Sequence, residues 1–292
     1  VPQDYAEAEN WLNKAAQKGM ESAWKLLDIV SRQNKQVRHE GVPKNISPDD
    51  TENIRFYQAA AEQGNAGAQF TLGMMYDQGN TVAQDAAEAV KWYRKAAEQG
   101  NADAQNNLGV MYLNERGVAG DESEAANLFF QAARQGNTTA LNNLTVLSHR
   151  GNPVAQFNLG ELYQEGLGIE QNDDEAIRYF LQAAGQGNAE AQFTLGMKFS
   201  NGEGIPQDYT EAAKWLRRAA EQGNVRAQVQ LGLMCCKGEG VSRDYTEAMN
   251  WFHKAAQRGS TEGQFNLGLM YLTGRGMTRD YAEAAKWFLK AA

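Results

Sequence analysis

Apolar positions recur along this chain with a helical period nested inside a longer one. In residues 188–223, "NAEAQFTLGMKFSNGEGIPQDYTEAAKWLRRAAEQG", Ala191, Leu195 and Phe199 fall at i, i+4 and i+8. They form one stripe of an amphipathic helix, helix A, over about 189–200. Phe193 and Met197 lie on a second face, so helix A is apolar on most sides and is expected between neighbours. The loop "NGEGIPQ" supplies glycines for a helix end and a turn. A second helix, B, begins at Asp208 with Glu211 three residues on, an acidic variant of the capping box. It closes on Ala-Ala-x-x-Gly, where the small pair lets helices approach closely and the glycine ends the helix.

This unit repeats. The Ala-Ala-x-x-Gly marker ends at Gly19, Gly64, Gly100, Gly136, Gly187, Gly223 and Gly259, and Ala291-Ala292 start another copy. The step is 36 residues from 64 to 136 and again from 151 to 259. Every helix B has the cap pair: Asp4/Glu7, Asp49/Glu52, Asp85/Glu88, Asp121/Glu124, Asn172/Glu175, Asp208/Glu211, Asp244/Glu247 and Asp280/Glu283. Four residues after that Glu stands a large apolar residue: Trp11, Phe56, Trp92, Leu128, Tyr179, Trp215, Trp251 and Trp287. No such unit buries its apolar faces alone, so stability must come from stacking.

Three places depart from the pattern. The first unit has Asp28 where later helices A have Gly, and a lengthened connection follows within 31–50. Residues 138–150 read as a helix A with no helix B. Cys235 fills the slot of Tyr76, Tyr112, Tyr163, Phe199 and Tyr271. Helices joined by a short turn run antiparallel, so the unpaired helix reverses the polarity of every later helix A. That predicts two stacks, roughly 1–136 and 152–292, joined by a junction at 137–151 with a change in direction.

"AQFTLGMMY", "GEGIPQDYTEAAKWLRRAAEQGN" and "AQFNLGLMYLTGRGMTRDYAEAAKWF" resemble Sel1-like repeats, relatives of the tetratricopeptide repeat. The resemblance covers nearly the whole chain. It implies an all-α, right-handed superhelical solenoid of about seven helix-turn-helix repeats, used as a protein-binding scaffold. Bacterial members of that family are frequently exported or periplasmic.

Composition narrows the partners. The 292 residues carry a net charge of −8 and no basic run long enough to neutralise a phosphate backbone, which argues against nucleic acid. No apolar run approaches the roughly 20 residues that span a bilayer. The opening "VPQDYAEA" matches "IPQDYTEA" at 205–212, inside a repeat, so upstream residues are expected.

Chemistry is sparse. His39, His149 and His253 have no metal-ligand companion at i+3 or i+4. Cys235 and Cys236 are adjacent and point about 100° apart on a helix, and no third ligand is spaced for a metal; no cofactor is expected. Ser22 to Lys25, "SAWK", matches a Ser-x-x-Lys motif of penicillin-recognising enzymes, but the Ser-Asp-Asn and Lys-Thr-Gly companions are missing. The expectation is a protein without catalysis, a β-lactamase-like hydrolase being the distant alternative.

Residues that repeat for packing cannot discriminate partners; residues that vary on an exposed face can. On helix A such a face carries Asp103 and Asn107, Val154 and Asn158, Glu190 and Thr194, Arg226 and Gln230, Glu262 and Asn266, each pair four apart. If helices A line the inner curve, these form the floor of a groove; a merely solvated stripe is the competing reading. The connection 31–50, with Arg32, Lys35, Arg38 and Lys44, is a second candidate surface. The repeated Gln69, Gln105, Gln156, Gln192, Gln228 and Gln264 are expected to satisfy backbone or neighbouring-unit groups. The function expected is a scaffold or adaptor binding a partner protein or peptide, the alternative being an immunity or regulatory protein that neutralises a secreted toxin or enzyme.

Overall fold

The computed structural model describes residues 48–79 and 81–292, with side chains from Ile54 onward. Among the described residues all regular structure is helical. Helices of type B are α1 (Pro48–Glu62), α3 (Ala86–Glu98), α5 (Glu122–Arg134), α8 (Asp173–Gly185), α10 (Tyr209–Glu221), α12 (Tyr245–Gln257) and α14 (Tyr281–Ala291). Helices of type A are α2 (Ala66–Gln78), α4 (Ala102–Leu113), α6 (Thr138–His149), α7 (Pro153–Glu165), α9 (Ala189–Asn201), α11 (Val225–Lys237) and α13 (Thr261–Thr273). The chain divides into two units, Val1–Gln171 and Asn172–Ala292. In each, consecutive helices pack in chain order. Asp28, residues 31–47 of the connection 31–50 and the pair Ser22/Lys25 lie outside the described residues.

The caps explain where each helix begins. Type A starts on an asparagine, or on Ser260 in α13, as where Asn101 Oδ1 accepts from the Ala104 N–H at 2.8 Å. Type B starts on an aspartate, or on Asn172 in α8: Asp208 Oδ1 accepts from the Thr210 and Glu211 N–H groups at 2.8 and 3.0 Å. The glutamate does not close the expected box. The Asp208 N–H already donates to the Phe199 carbonyl at 2.9 Å, as Asp85, Asp244 and Asp280 do to Tyr76, Cys235 and Tyr271. Released from capping, Glu88, Glu175, Glu211 and Glu283 pair with a Lys or Arg three residues on.

Within a repeat, helix B lays one large side chain on a glycine of helix A. A Cβ on Gly109 would stand 2.7 Å from the Phe129 ring, and Gly73, Gly196, Gly232 and Gly268 seat Tyr93, Leu216, Phe252 and Phe288 the same way. The seated residue follows the Trp row by one position and is the deeper of the two: Phe129 is 0% and Phe252 1% exposed, against 6% for Leu128 and Trp251. The Trp-row residues lie nearer the surface under a covering cation, such as Lys254 at 4.1 Å from the Trp251 ring.

Between repeats the glutamines do what their periodicity suggested. Each Nε2 donates to the carbonyl eight residues back, at the end of the preceding helix: Gln69 to Ala61, Gln105 to Ala97, Gln192 to Ala184 and Gln228 to Ala220, at 3.0 to 3.2 Å. Each Oε1 accepts from a glutamine at the end of its own repeat's helix B, as in Gln99 to Gln69, Gln135 to Gln105 and Gln222 to Gln192. The series fails at one place. Arg258 stands where that second glutamine belongs and donates to the Gly223 carbonyl instead, leaving the buried Gln228 Oε1 without a partner.

Cys235 changes another inter-repeat tie. In the first unit Arg94 reaches the Tyr112 hydroxyl at 3.0 Å. Arg217 and Cys235 hold the equivalent places, and with no phenol there Arg217 pairs with Glu247 of the next repeat. The Glu247 carboxylate also accepts from Trp251 Nε1 at 3.1 Å. The Arg217 bond, aided by Trp251 and opposed by partial burial, holds its pKa below the usual carboxylate range. Cys235 is fully buried, and desolvation, then Glu247, pushes its thiol up to about 12.

The unpaired helix α6 occupies the type-A place after α5. Its Asn137 cap donates to Asp103 Oδ1 and its Asn143 to Asn106 Oδ1, both at 2.9 Å, which sets it beside α4 in register. Thr145 stands where Gly109 stands one repeat earlier. A branched side chain closes the ring seat, and no helix B packs there; α7 follows instead and packs on both α6 and α5. Helix α7 runs parallel to α5: Asn158 meets the Ala126 carbonyl, and Glu165 pairs with Arg134 at 3.0 Å, early residue against early and late against late. By contrast α4 runs antiparallel to α3, with Gln105 at its start on Ala97 near the end of α3. The reversal of polarity that an odd helix imposes is therefore present inside the first unit.

Three stability outcomes follow. Gly109→Ala inserts a methyl under Phe129 and costs about 2 kcal/mol through overpacking, against the roughly 1 kcal/mol that alanine gains in an open helix; Gly185→Ala, with nothing within 4 Å of its Cβ, is mildly stabilising. Denaturant unfolding of both variants checks the opposite signs. Arg258→Gln restores the partner of Gln228 and raises stability by about 1 kcal/mol; an unchanged midpoint would count against the pairing. A carboxylate with a depressed folded pKa stabilises above its unfolded pKa and loses that contribution as pH falls through the folded one. Glu247→Gln therefore lowers the melting temperature at pH 7, and the gap to the parent narrows as the pH falls below about 4.5; an equal gap at pH 7 and pH 3 would be the contrary result.

Candidate functional site

The variable face of helix A is built first in the second unit. The Asn188 and Asn224 caps set α9 and α11 in the same register. Asn224 Nδ2 donates to Glu190 Oε1 at 2.9 Å, and the Arg226 guanidinium pairs with Glu190 Oε2 while lying 4.4 Å from the Phe193 ring. Glu190 and Arg226 are exposed; Thr194 and Gln230, one turn on, are half-buried and make no side-chain hydrogen bond. The structure thus brings Glu190, Thr194, Arg226 and Gln230 onto one surface. Glu262 and Asn266 hold the same helical positions on α13, where Asn266 Nδ2 donates to the Glu262 carbonyl at 2.9 Å and the Glu262 carboxylate is exposed and unpaired. A cavity of about 430 Å³ opens beside Gln230, with Met197, Leu233, Ser200, Gln207 and Lys237 in its mainly polar lining.

In the first unit the corresponding face is more tightly wired. Asn143 donates to Asn106, Asn106 to Asn107 at 3.2 Å, and Asn107 to the Tyr93 hydroxyl at 3.3 Å. Tyr93 continues to Asp77, which pairs with Arg116 at 2.6 Å. Burial, then the Asp77 charge, pushes the Tyr93 phenol well up from its ordinary pKa, so it remains a neutral hydrogen-bonding group. Asp103 is exposed and Asn107 half-buried. Asn158 is different: it is 4% exposed, and its amide donates to the Ala126 carbonyl and to Asn127 Oδ1. It is a packing contact of α7 on α5. The place that counting by repeats assigned to Val154 and Asn158 belongs to Thr139 and Asn143 of α6, exposed and half-buried. Adding 36 to positions 103 and 107 reaches them; the resemblance of "NPVAQFNLG" to a standard helix A hides that count. Arg32, Lys35, Arg38 and Lys44 lie outside the described residues.

Other chemistry is dispersed. Among the described residues no three His, Cys, Asp or Glu side chains converge on a metal position. His149 Nδ1 lies 2.7 Å from the Thr145 carbonyl, and the His253 ring meets Trp287 edge-on at 6.0 Å. No described helix is long and apolar enough to cross a membrane. The surface that remains is a row of hydrogen-bonding and charged side chains on packed helices, suited to holding another chain.

Comparison with known proteins assigns the repeat. The Sel1 repeat model matches residues 1–20, 39–65, 66–101, 102–137, 153–188, 189–224, 225–260 and 261–292. The interval 138–152 between two matches is α6 with its flanking turn. No curated protein matches the chain. Among solved structures it is similar to a protective antigen of uropathogenic Escherichia coli displaying an SLR fold, at 30% identity and a TM-score of 0.53 over 97% of this chain. The chain spans only 63% of that antigen's length. A Sel1 repeat protein from Oxalobacter formigenes is 32% identical over 83% of this chain and 94% of its own, with a TM-score of 0.49. An immunity protein from Pseudomonas aeruginosa is 17% identical over 85% of this chain and 84% of its own, with a TM-score of 0.38. With matches spread along nearly its whole length, the chain belongs to the Sel1 repeat family.

Proposed function

We propose that this protein is a non-catalytic scaffold that binds a segment of a partner protein along the variable face of its type-A helices. Sel1 repeat proteins generally mediate protein–protein interaction. The observation that carries the reading is the division of labour on helix A: the packing positions recur from repeat to repeat, whereas Glu190, Thr194, Arg226, Gln230, Glu262 and Asn266 vary and stand at the surface. A partner laid across them gains a modest contribution from each repeat, and its specificity comes from the charges. In the first unit the equivalent stretch is carried by Asp103, Asn107, Thr139 and Asn143. In this reading the chain is two stacks, 1–136 and 152–292, joined at 137–151, and Thr139 and Asn143 stand on that junction helix. Neutralising a secreted toxin or enzyme is one form such binding takes.

Photo-crosslinking tests this. A benzophenone side chain at position 194 or 230 is expected to capture one and the same partner, and one at position 254, on helix B, is not. Glu190→Arg is expected to weaken that complex about tenfold, or ~1.4 kcal/mol, and adding Arg226→Glu to recover part of it. Capture from position 254 alone would overturn the reading. A captured secreted enzyme or toxin would assign the immunity form, a resident protein the adaptor form.

A further inference from the structure

The helices B of the second unit carry a charge period of their own. Arg218, Lys254 and Lys290 follow one another at 36-residue steps, each three residues after a Trp. Each is exposed and lies on the ring before it: Arg218 at 4.7 Å from Trp215, and Lys254 and Lys290 at 4.1 Å from Trp251 and Trp287. Among the described residues none of the three has a carboxylate at ion-pair distance. Gln131 and Gln182 stand there in α5 and α8, so the run of three belongs to α10, α12 and α14. These helices stand side by side: Arg217 of α10 pairs with Glu247 of α12, and His253 of α12 meets Trp287 of α14 edge-on at 6.0 Å. The three cations therefore form one row. At its Arg218 end the surface is recessed. A cavity of about 420 Å³ with mainly apolar walls opens between α10 and the loop at Gly240 and Val241, with Lys214, Arg217 and Arg218 in its lining. Ala213 is the cause. Val90, Ile177 and Met249 hold its place in α3, α8 and α12, and on α8 the Ile177 Cδ1 would stand 3.0 Å from a Cβ on Gly204 of the crossing loop. Alanine leaves that space unfilled.

We propose that this face of α10, α12 and α14 docks an acidic segment of a second partner protein, which seats one aliphatic side chain in the Ala213 recess and lays carboxylates along Arg218, Lys254 and Lys290. The face shares no residue with the type-A surface. A guanidinium stacked on a ring keeps its N–H edge free and held in place for a carboxylate. The ion pairs beside the row leave it in charge: Glu211, Glu247 and Glu283 are already spent on Lys214, Arg217 and Lys286. Glu221, in the cavity lining, has no such partner among the described residues and opposes an acidic guest. The recess decides the class of partner. A lipid surface is held by apolar side chains that project into it, and here the apolar feature is a hollow that receives one. A phosphate backbone brings charge without an aliphatic group to fill the hollow. An acidic protein segment supplies both, the buried side chain anchoring it and the charges selecting it.

Panning a random twelve-residue phage-displayed peptide library on the full chain tests this. One enriched family is expected to carry an aliphatic residue among Asp and Glu. Remade synthetically, its best member should bind at least about tenfold more weakly to Ala213→Met, which fills the recess as Met249 does in α12, and to Arg218→Glu. Glu221→Gln should tighten it about threefold, and Glu190→Arg on the type-A surface should leave it unchanged. Circular dichroism melting confirms that each variant is folded; should Ala213→Met fail to fold, Arg218→Glu and Lys254→Glu at the surface carry the test. Enriched peptides without acidic residues, or acidic ones bound equally by the parent and these variants, would overturn the proposal, as would no enrichment. Peptides lost on Glu190→Arg instead would belong to the type-A surface and leave only the scaffold reading standing. Vesicles of phosphatidylglycerol are expected not to bind; vesicles held equally by the parent and Ala213→Met would assign the row to a membrane and overturn the proposal as well.

Discussion

Everything in this array depends on a place where a side chain is missing. At Gly73, Gly109, Gly196, Gly232 and Gly268, helix A offers bare backbone to a ring or Leu of helix B, at a separation that admits no Cβ. That contact fixes how closely the two helices of a repeat approach. It therefore fixes where the Ala pairs of helix B meet the next repeat and whether the glutamine eight residues on from its acceptor can reach it. Interiors at close-packed density transmit such constraints because nothing in them is free to give way. Each of these five type-A helices has its helix B packed against it. The one type-A helix with Thr in its place, α6, stands without its second member.

Much of this was legible in the chain itself. The 36-residue step, the two helix types, their caps and the role of the glutamines follow from spacing and residue chemistry, because a period repeated many times averages out local ambiguity. Within a single helix B, spacing was less informative. The Trp row is conspicuous by size, yet the residue after it is the one that reaches the glycine; helical phase alone does not choose between two adjacent large apolar positions. The glutamates were assigned to capping because the sequence cannot show that the Asp N–H is already taken by a carbonyl from helix A.

The candidate site shows the same boundary. Local similarity placed Val154 and Asn158 in the variable row, since "NPVAQFNLG" reads as any other helix A. Their place is decided by what precedes them. Once α6 has taken the type-A position, α7 must pack elsewhere, and Asn158 becomes a buried link to α5. Equivalence in a repeat protein is positional and is counted along the stack; a helix that looks right can still be on the wrong count. Glu190, Thr194, Arg226 and Gln230 lie within an unbroken run of that count, and there the sequence and the structure agree on which residues share a surface.

The parallel course of α7 beside α5 also decides where the connecting loops go. The loop after α4 brings Gly117 against Ala86, at the start of α3, whereas the loop after α7 brings Gly168 against Ala133, at the end of α5. A chain lengthened only by whole 36-residue copies would keep every such loop on one flank, leaving the other to the tight turns that follow each Ala pair. One odd helix gives the first unit loops on both flanks. Loops accept insertions and sequence drift far more readily than packed helices do, so α6, at the cost of its own ring seat, opens a second flank of the first unit to variation and leaves the seats at Gly73 and Gly109 intact.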